Sequence, residues 1–106
     1  MVEVKFHAGE QGFTQVWVSG HAGFAPGGED IVCSGVSSAV MLTANALTEI
    51  LREPARVEVL ENEVSIQLPE KPSPCALATV QALHLHLTLL QQQYPEHITL
   101  TEVHDK

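Results

Sequence analysis

The sequence predicts an α+β fold of ββαββαβ order, a two-layer domain with two helices packed on one mostly antiparallel mixed sheet. Three observations carry this. Short stretches alternate apolar and polar residues with the period of two that a half-buried strand requires, and four of them fall into two hairpins. Two longer stretches repeat apolar residues at spacings of three and four, the period of a helix with one buried face. The chain has 106 residues, 44% of them hydrophobic and 17% charged, the balance of a folded domain; it is read as one domain over 1–106.

The first strand alternates Val2, Val4 and Phe6 with Glu3, Lys5 and His7, and the stretch from Gly9 to Gly12 turns the chain. Phe13 to Ser19 resumes the alternation, with Val16 and Val18 on one face and Trp17 on the other. From Gly20 to Asp30 four glycines and a proline in eleven residues rule out regular structure. A helix is predicted after Asp30, its N-cap. At about 100° per residue, Val32, Val36, Val40, Leu47, Ile50 and Leu51 share one arc. Ser34, Ser37, Ser38, Asn45, Thr48, Glu49 and Arg52 share the other, Cys33 stands at the edge of that polar arc, and Pro54 ends the helix.

Val57 to Leu60 and Val64 to Leu68 form the second hairpin around Glu61 and Asn62. Ser73 caps the second helix, with Pro74 at its favoured first position. Ala76, Val80, Leu83, Leu87, Leu90 and Tyr94 make its core stripe, and Pro95 ends it. Ala78, Ala82, Leu85 and Leu89 make a second apolar stripe on the far side. Two layers are few to cover both stripes, so the second is either a dimer contact or buried under a loop. His97 to Val103 alternates as the last strand.

Charge and composition narrow the function. Five Lys and Arg against thirteen Asp and Glu give a net charge of −8. That sign disfavours direct binding to nucleic acid or to an anionic membrane surface, and permits a basic partner. No apolar run is expected to span a bilayer, and the N-terminus alternates at once instead of opening like a signal peptide, so a cytoplasmic protein is expected. In that reducing compartment a disulfide between the two cysteines, Cys33 and Cys75, is not expected.

Cys33 is predicted at the third residue of the first helix, where unpaired N–H groups and the helix dipole favour a thiolate. The glycine-rich segment before it carries His21, just after a strand end. A thiol with an imidazole delivered from a neighbouring loop is the minimal kit for acyl transfer: His accepts the thiol proton and returns it to the leaving amine, while helix N–H groups hold the oxyanion. The glycines between them suit a lid over a substrate. The plainer alternative is a small buried Cys beside an ordinary loop. Cys75 also follows a helix start, but no histidine stands between His21 and His84, so it is read as structural. His84 and His86 are two apart on a helix, about 200° around it, and share no ion. With His97 and His104 on other elements, no metal or other cofactor is implied. Asp30 caps the helix and is placed to orient His21 as well. Ser34, Ser37 and Ser38 line a solvated face or cleft. Trp17 and Phe24 are either core or the walls of an apolar pocket.

The block Gly20-His21-Ala22-Gly23, followed by Asp30-Ile31-Val32-Cys33-Ser34-Gly35-Val36-Ser37, resembles the ribosomal-processing cysteine protease family. The element order and length agree over the whole chain. The resemblance implies a bacterial homodimeric cysteine endopeptidase. Its implied substrate is the large-subunit ribosomal protein whose tail reaches the peptidyl-transferase centre, from which it removes a short N-terminal extension, cutting after a hydrophobic, aromatic-containing segment. It further implies Cys33 as nucleophile, His21 as general base, Asp30 in a supporting role, and a mobile lid including Gly23, Phe24, Gly27 and Gly28. Ser34-Gly35 stands where Ala-Ala is frequent, and Gly35 weakens the helix by roughly 0.5–1 kcal/mol relative to Ala. Two other classes compete: a non-catalytic ribosome-associated binding module, and a redox sensor that would use Cys75 as its resolving thiol.

Overall fold

The computed structural model describes residues 1–20 and 28–104, with the backbone alone at 28–30. The elements are β1 (Val2–Gly9), β2 (Gly12–Ser19), α1 (Gly28–Asn45) continued by a π-helical turn (Ala46–Ile50), β3 (Arg56–Val59), β4 (Glu63–Gln67), α2 (Pro74–Gln93) and β5 (Ile98–His104). The strands form one sheet in the order β3-β4-β2-β1-β5. Pairing is antiparallel except between β1 and β5, which run parallel because α2 carries the chain across the sheet between them. This is the expected α+β architecture of two helices on a mixed sheet.

Alternation sets the register. Val4 opposes Val18, and Phe6 opposes Val16; on β4, Val64 and Ile66 oppose Val18 and Val16 in turn. Those valines, Phe6 and Ile66 face the helices and are essentially fully buried, together with Val32, Val36 and Val40 of α1 and Ala76, Val80, Leu83 and Leu87 of α2. The opposite sheet face carries Trp17. Its indole Nε1 donates to Glu63 Oε2 at 3.0 Å, and Lys5 lies over the ring at 5.0 Å from its centroid. Period two turns Trp17 to this open face, so it is not part of the core between sheet and helices.

The first helix departs from expectation at both ends. It starts at Gly28, so the backbone of Asp30 lies in its first turn and not at its N-cap, and Gly28 belongs to the helix and not to the loop. An acidic residue suits a first turn as it suits a cap, since both face the unpaired N–H groups, so composition does not separate the two registers. The C-terminal end is a π turn, closed by Leu51 N–H donating to Ala46 O at 2.9 Å. The wider turn shifts the helical phase. Leu47 is buried while Ile50, expected on the core arc, is 77% exposed. The chain then leaves through Arg52 in the left-handed region at φ 52°, with Glu53 N–H donating to Leu47 O at 2.8 Å, so the helix stops before Pro54. Ile31–Ile50 is also long and apolar enough to cross a membrane by length and composition, with a mean hydropathy of 1.5, contrary to the sequence expectation. In this fold the stretch supplies Val32, Cys33, Val36, Val40, Ala44 and Leu47 to the core.

The second helix follows the sequence closely. Ser73 is its N-cap, its Oγ accepting from Ala76 N–H at 3.1 Å. The Glu53 carboxylate reaches the same corner, accepting from Ser73 N–H and from Ser73 Oγ–H, each at 2.9 Å. One carboxylate thus ties the exit of the first helix to the entry of the second, on the side where the dipole of α2 favours negative charge. Tyr94, expected on the core stripe, is instead the exposed C-cap, because the chain leaves helical geometry there and the residue no longer keeps the helical phase. On the far stripe Leu85 and Leu89 are 59% and 49% exposed; no loop buries them.

Candidate active site

Strand β2 ends at Ser19, and the next residue, Gly20, has a φ of 83°, in the left-handed region that glycine reaches without strain. A Cβ there would lie 2.5 Å from the Met1 carbonyl oxygen, so both the conformation and the space demand glycine. Its N–H donates to Asn62 O at 3.0 Å, fastening the end of β2 to the turn between β3 and β4. Its carbonyl oxygen accepts from the Cys33 thiol, Sγ to O being 3.4 Å.

Cys33 thus reaches the residue that immediately precedes His21 in the chain. It is the sixth residue of α1 and not the third, since the helix starts at Gly28. Helical side chains lean back over the preceding turn, so the thiol still points toward the first turn and the end of β2. It is 5% exposed and counts with the core cluster. The two alternatives set out from the sequence, buried hydrophobe or site residue, are therefore not mutually exclusive: the thiol is packed, and it is aimed at the Gly20 carbonyl just past the end of β2.

His21, Gly23, Phe24 and Gly27 lie outside the described residues, as does the side chain of Asp30. Cys75 is exposed at the second position of α2, and no disulfide joins it to Cys33. Ser34 is exposed and Ser37 half-buried on the same helix face as expected, one turn or less from the thiol. Among the described residues no group of three metal-ligating side chains converges. His84 is occupied otherwise: its ring stacks on Phe13 with centroids 4.2 Å apart, meets Phe6 edge-on, and its Nε2 lies 2.8 Å from Glu102 Oε2. That cluster pins β5 and the far end of β2 to α2. Sequence reasoning missed the Gly20 carbonyl, because a backbone acceptor carries no residue signature; the only trace was a glycine where β2 stops.

Comparison with known proteins extends the assignment. The family model described as Cysteine protease Prp matches residues 1–99. The chain is similar to a ribosomal processing cysteine protease Prp from Mycoplasma genitalium, 29% identical over 86 residues that cover 78% of this chain and 82% of that protein. Among solved structures, a Streptococcus mutans protein superimposes with a TM-score of 0.92 at 25% identity, covering 99% of this chain and 96% of the other. The S. aureus ribosomal processing protease Prp, solved with a substrate peptide, superimposes with a TM-score of 0.89 at 23% identity, covering 96% and 99%; at that identity the likeness speaks for the fold. A match along nearly the whole chain, over a helix that aims Cys33 at the residue before His21, places it plainly: the chain belongs to the cysteine protease Prp family.

Proposed function

We propose that this cysteine protease is an endopeptidase with Cys33 as nucleophile and His21 as general base. Its substrate is the large-subunit ribosomal protein whose N-terminal tail reaches the peptidyl-transferase centre, and it removes a short N-terminal extension by cutting after a hydrophobic, aromatic-containing segment. The observation that carries this reading is the hydrogen bond from the Cys33 thiol to the carbonyl of Gly20, the residue bonded to His21. His21 takes the thiol proton, and the thiolate attacks the scissile carbonyl carbon. N–H groups of the first turn of α1 stabilise the oxyanion. The intermediate collapses with the C–N bond breaking and the imidazolium protonating the leaving amine, and water then hydrolyses the thioester. Asp30 has a supporting role, and the loop carrying Gly23, Phe24 and Gly27 covers the bound peptide. This chemistry draws on no cofactor.

The test is mass spectrometry of a peptide spanning the processing site, incubated with wild type, Cys33→Ala, His21→Ala and Cys75→Ala. The expected result is cleavage by wild type and Cys75→Ala, with Cys33→Ala and His21→Ala each reduced by at least about 10³-fold. Cleavage retained by Cys33→Ala refutes the assignment.

Three further readings belong to this proposal. The enzyme works in the cytoplasm, where ribosomal proteins are assembled. The net charge of −8 attracts a basic tail, so cleavage slows as ionic strength rises; rates that stay flat between low and high salt would remove this point. A second copy of the chain covers the exposed Leu85 and Leu89 stripe, giving a homodimer.

A further inference from the structure

The end of β2 is held from behind the sheet. Period two puts Trp17 and Ser19 on the open face, away from the helices, and Ser19 opposes Glu63, the first residue of β4. Trp17 opposes Ser65, so Glu63 is its diagonal neighbour on that face, a spacing that an aromatic side chain spans. The indole Nε1–H donates to Glu63 Oε2 at 3.0 Å, a charge-assisted hydrogen bond. Lys5 stands over the same ring, 5.0 Å from its centroid, and steadies its orientation.

Both partners are joined to the segment that builds the site. Glu63 follows Asn62, whose carbonyl accepts from Gly20 N–H at 3.0 Å, and Trp17 stands three residues before Gly20. Glu63 O accepts from Leu60 N–H at 2.8 Å, which closes the turn between β3 and β4. Leu60, Glu61 and Asn62 are exposed, so packing does little to hold the tip of that turn. The bonds Gly20 to Asn62 and Trp17 to Glu63 tie it to the end of β2. Gly20 in turn offers its carbonyl to the Cys33 thiol at 3.4 Å. Contacts thus run from Trp17 through Glu63, Asn62 and Gly20 to Cys33, from the open face of the sheet to its helical face.

We propose that Trp17 and Glu63 are a positioning pair for the reaction: their hydrogen bond fixes the turn at Asn62, and through it the residue that accepts from Cys33 and leads into His21. The inference rests on the reading of Cys33 as nucleophile and His21 as base. A misplacement of about 1 Å at a reacting group costs about 10²-fold. Loss of this one bond shifts the end of β2 by a few tenths of an ångström, so kcat falls by about 3-fold to 10-fold. KM stays within about 2-fold, because the pair lies on the sheet face opposite the thiol and adds no contact to the peptide there.

The test measures kcat and KM separately on a processing-site peptide for wild type, Trp17→Phe, Glu63→Ala, Glu63→Gln and Ser73→Ala, at a temperature where circular dichroism shows each to be folded. Trp17→Phe keeps a ring and deletes the donor, while Glu63→Gln keeps an acceptor oxygen for the indole. Ser73→Ala weakens the corner beyond the other end of the first helix and controls for stability alone. The expected result is kcat lowered about 3-fold to 10-fold in Trp17→Phe and Glu63→Ala at near-constant KM, with Glu63→Gln and Ser73→Ala within about 2-fold of wild type. Wild-type kcat in either Trp17→Phe or Glu63→Ala overturns the pair. So does a rise in KM in place of the fall in kcat, an equal loss in Ser73→Ala, or no rescue by Glu63→Gln. Folded wild type that cuts no peptide overturns the protease reading instead, and is seen before any variant is compared.

Discussion

Replacing Gly20 by Ala tests the joint between fold and site. At φ 83° an alanine pays left-handed strain of about 1–2 kcal/mol. Its Cβ would sit 2.5 Å from the Met1 carbonyl oxygen and 3.5 Å from Val2 Cα, where real contacts do not fall under 3.0 Å. The obstacle is backbone and is anchored, because Val2 is buried and its N–H donates to His97 O at 2.9 Å. Opening the contact by about half an ångström bends the end of β2 away from β1, adding about 1 kcal/mol. The stiffer unfolded chain returns about 0.4–1 kcal/mol. The net loss is about 1–2.6 kcal/mol, or about 5–13 °C in Tm for a domain of this size. The displaced Gly20 carbonyl also shifts the acceptor of the Cys33 thiol and the start of the segment carrying His21, so kcat/KM falls by about tenfold or more. Urea denaturation followed by circular dichroism, with cleavage of a processing-site peptide, measures both. A Gly20→Ala protein within about 0.5 kcal/mol of wild type that cuts at the wild-type rate would refute the reasoning.

Three other outcomes are expected. Ser73→Ala removes the α2 cap and one hydrogen bond to the Glu53 carboxylate, and is expected to lose about 1.5–2.5 kcal/mol in urea denaturation. Glu53→Gln keeps the shape, loses the charge and is expected to lose about 1 kcal/mol; a double-mutant cycle returning no coupling would deny the corner its role. Leu85→Glu combined with Leu89→Lys is expected to shift sedimentation from dimer to monomer while the fold persists; wild-type protein that sediments as a monomer at tens of micromolar would reject the second-copy contact.

How much of this was legible differs by element. The strands were readable to within one or two residues because Val2, Val4 and Phe6, like Val16 and Val18, mark one face with period two, and a slip by one residue would turn every one of them to solvent. Helix α2 was readable at its start because Ser73 and Pro74 are local chemistry, satisfied by the next four residues whatever the rest of the chain does. Helix α1 was readable in its middle and misread at its ends. Gly27, Gly28, Glu29 and Asp30 offer several starts of similar local energy, and the π turn over Ala46–Ile50 leaves no mark in residue type, since it follows from where Leu47 must point to reach the core.

By itself, the sequence determined the order of the elements and most of the faces that would be buried, and it put forward the pairing of His21 with Cys33 on which the proposed function rests. These follow from periodicity and from residue chemistry acting over a few neighbours. Tertiary structure alone decided that the thiol bonds to the Gly20 carbonyl, that Glu53 reaches Ser73 across 20 positions, and that Trp17 donates to Glu63 across 46. Each of these is a meeting of groups far apart in the chain, fixed by sheet order and helix phase, and neither quantity is carried by any short run of residues.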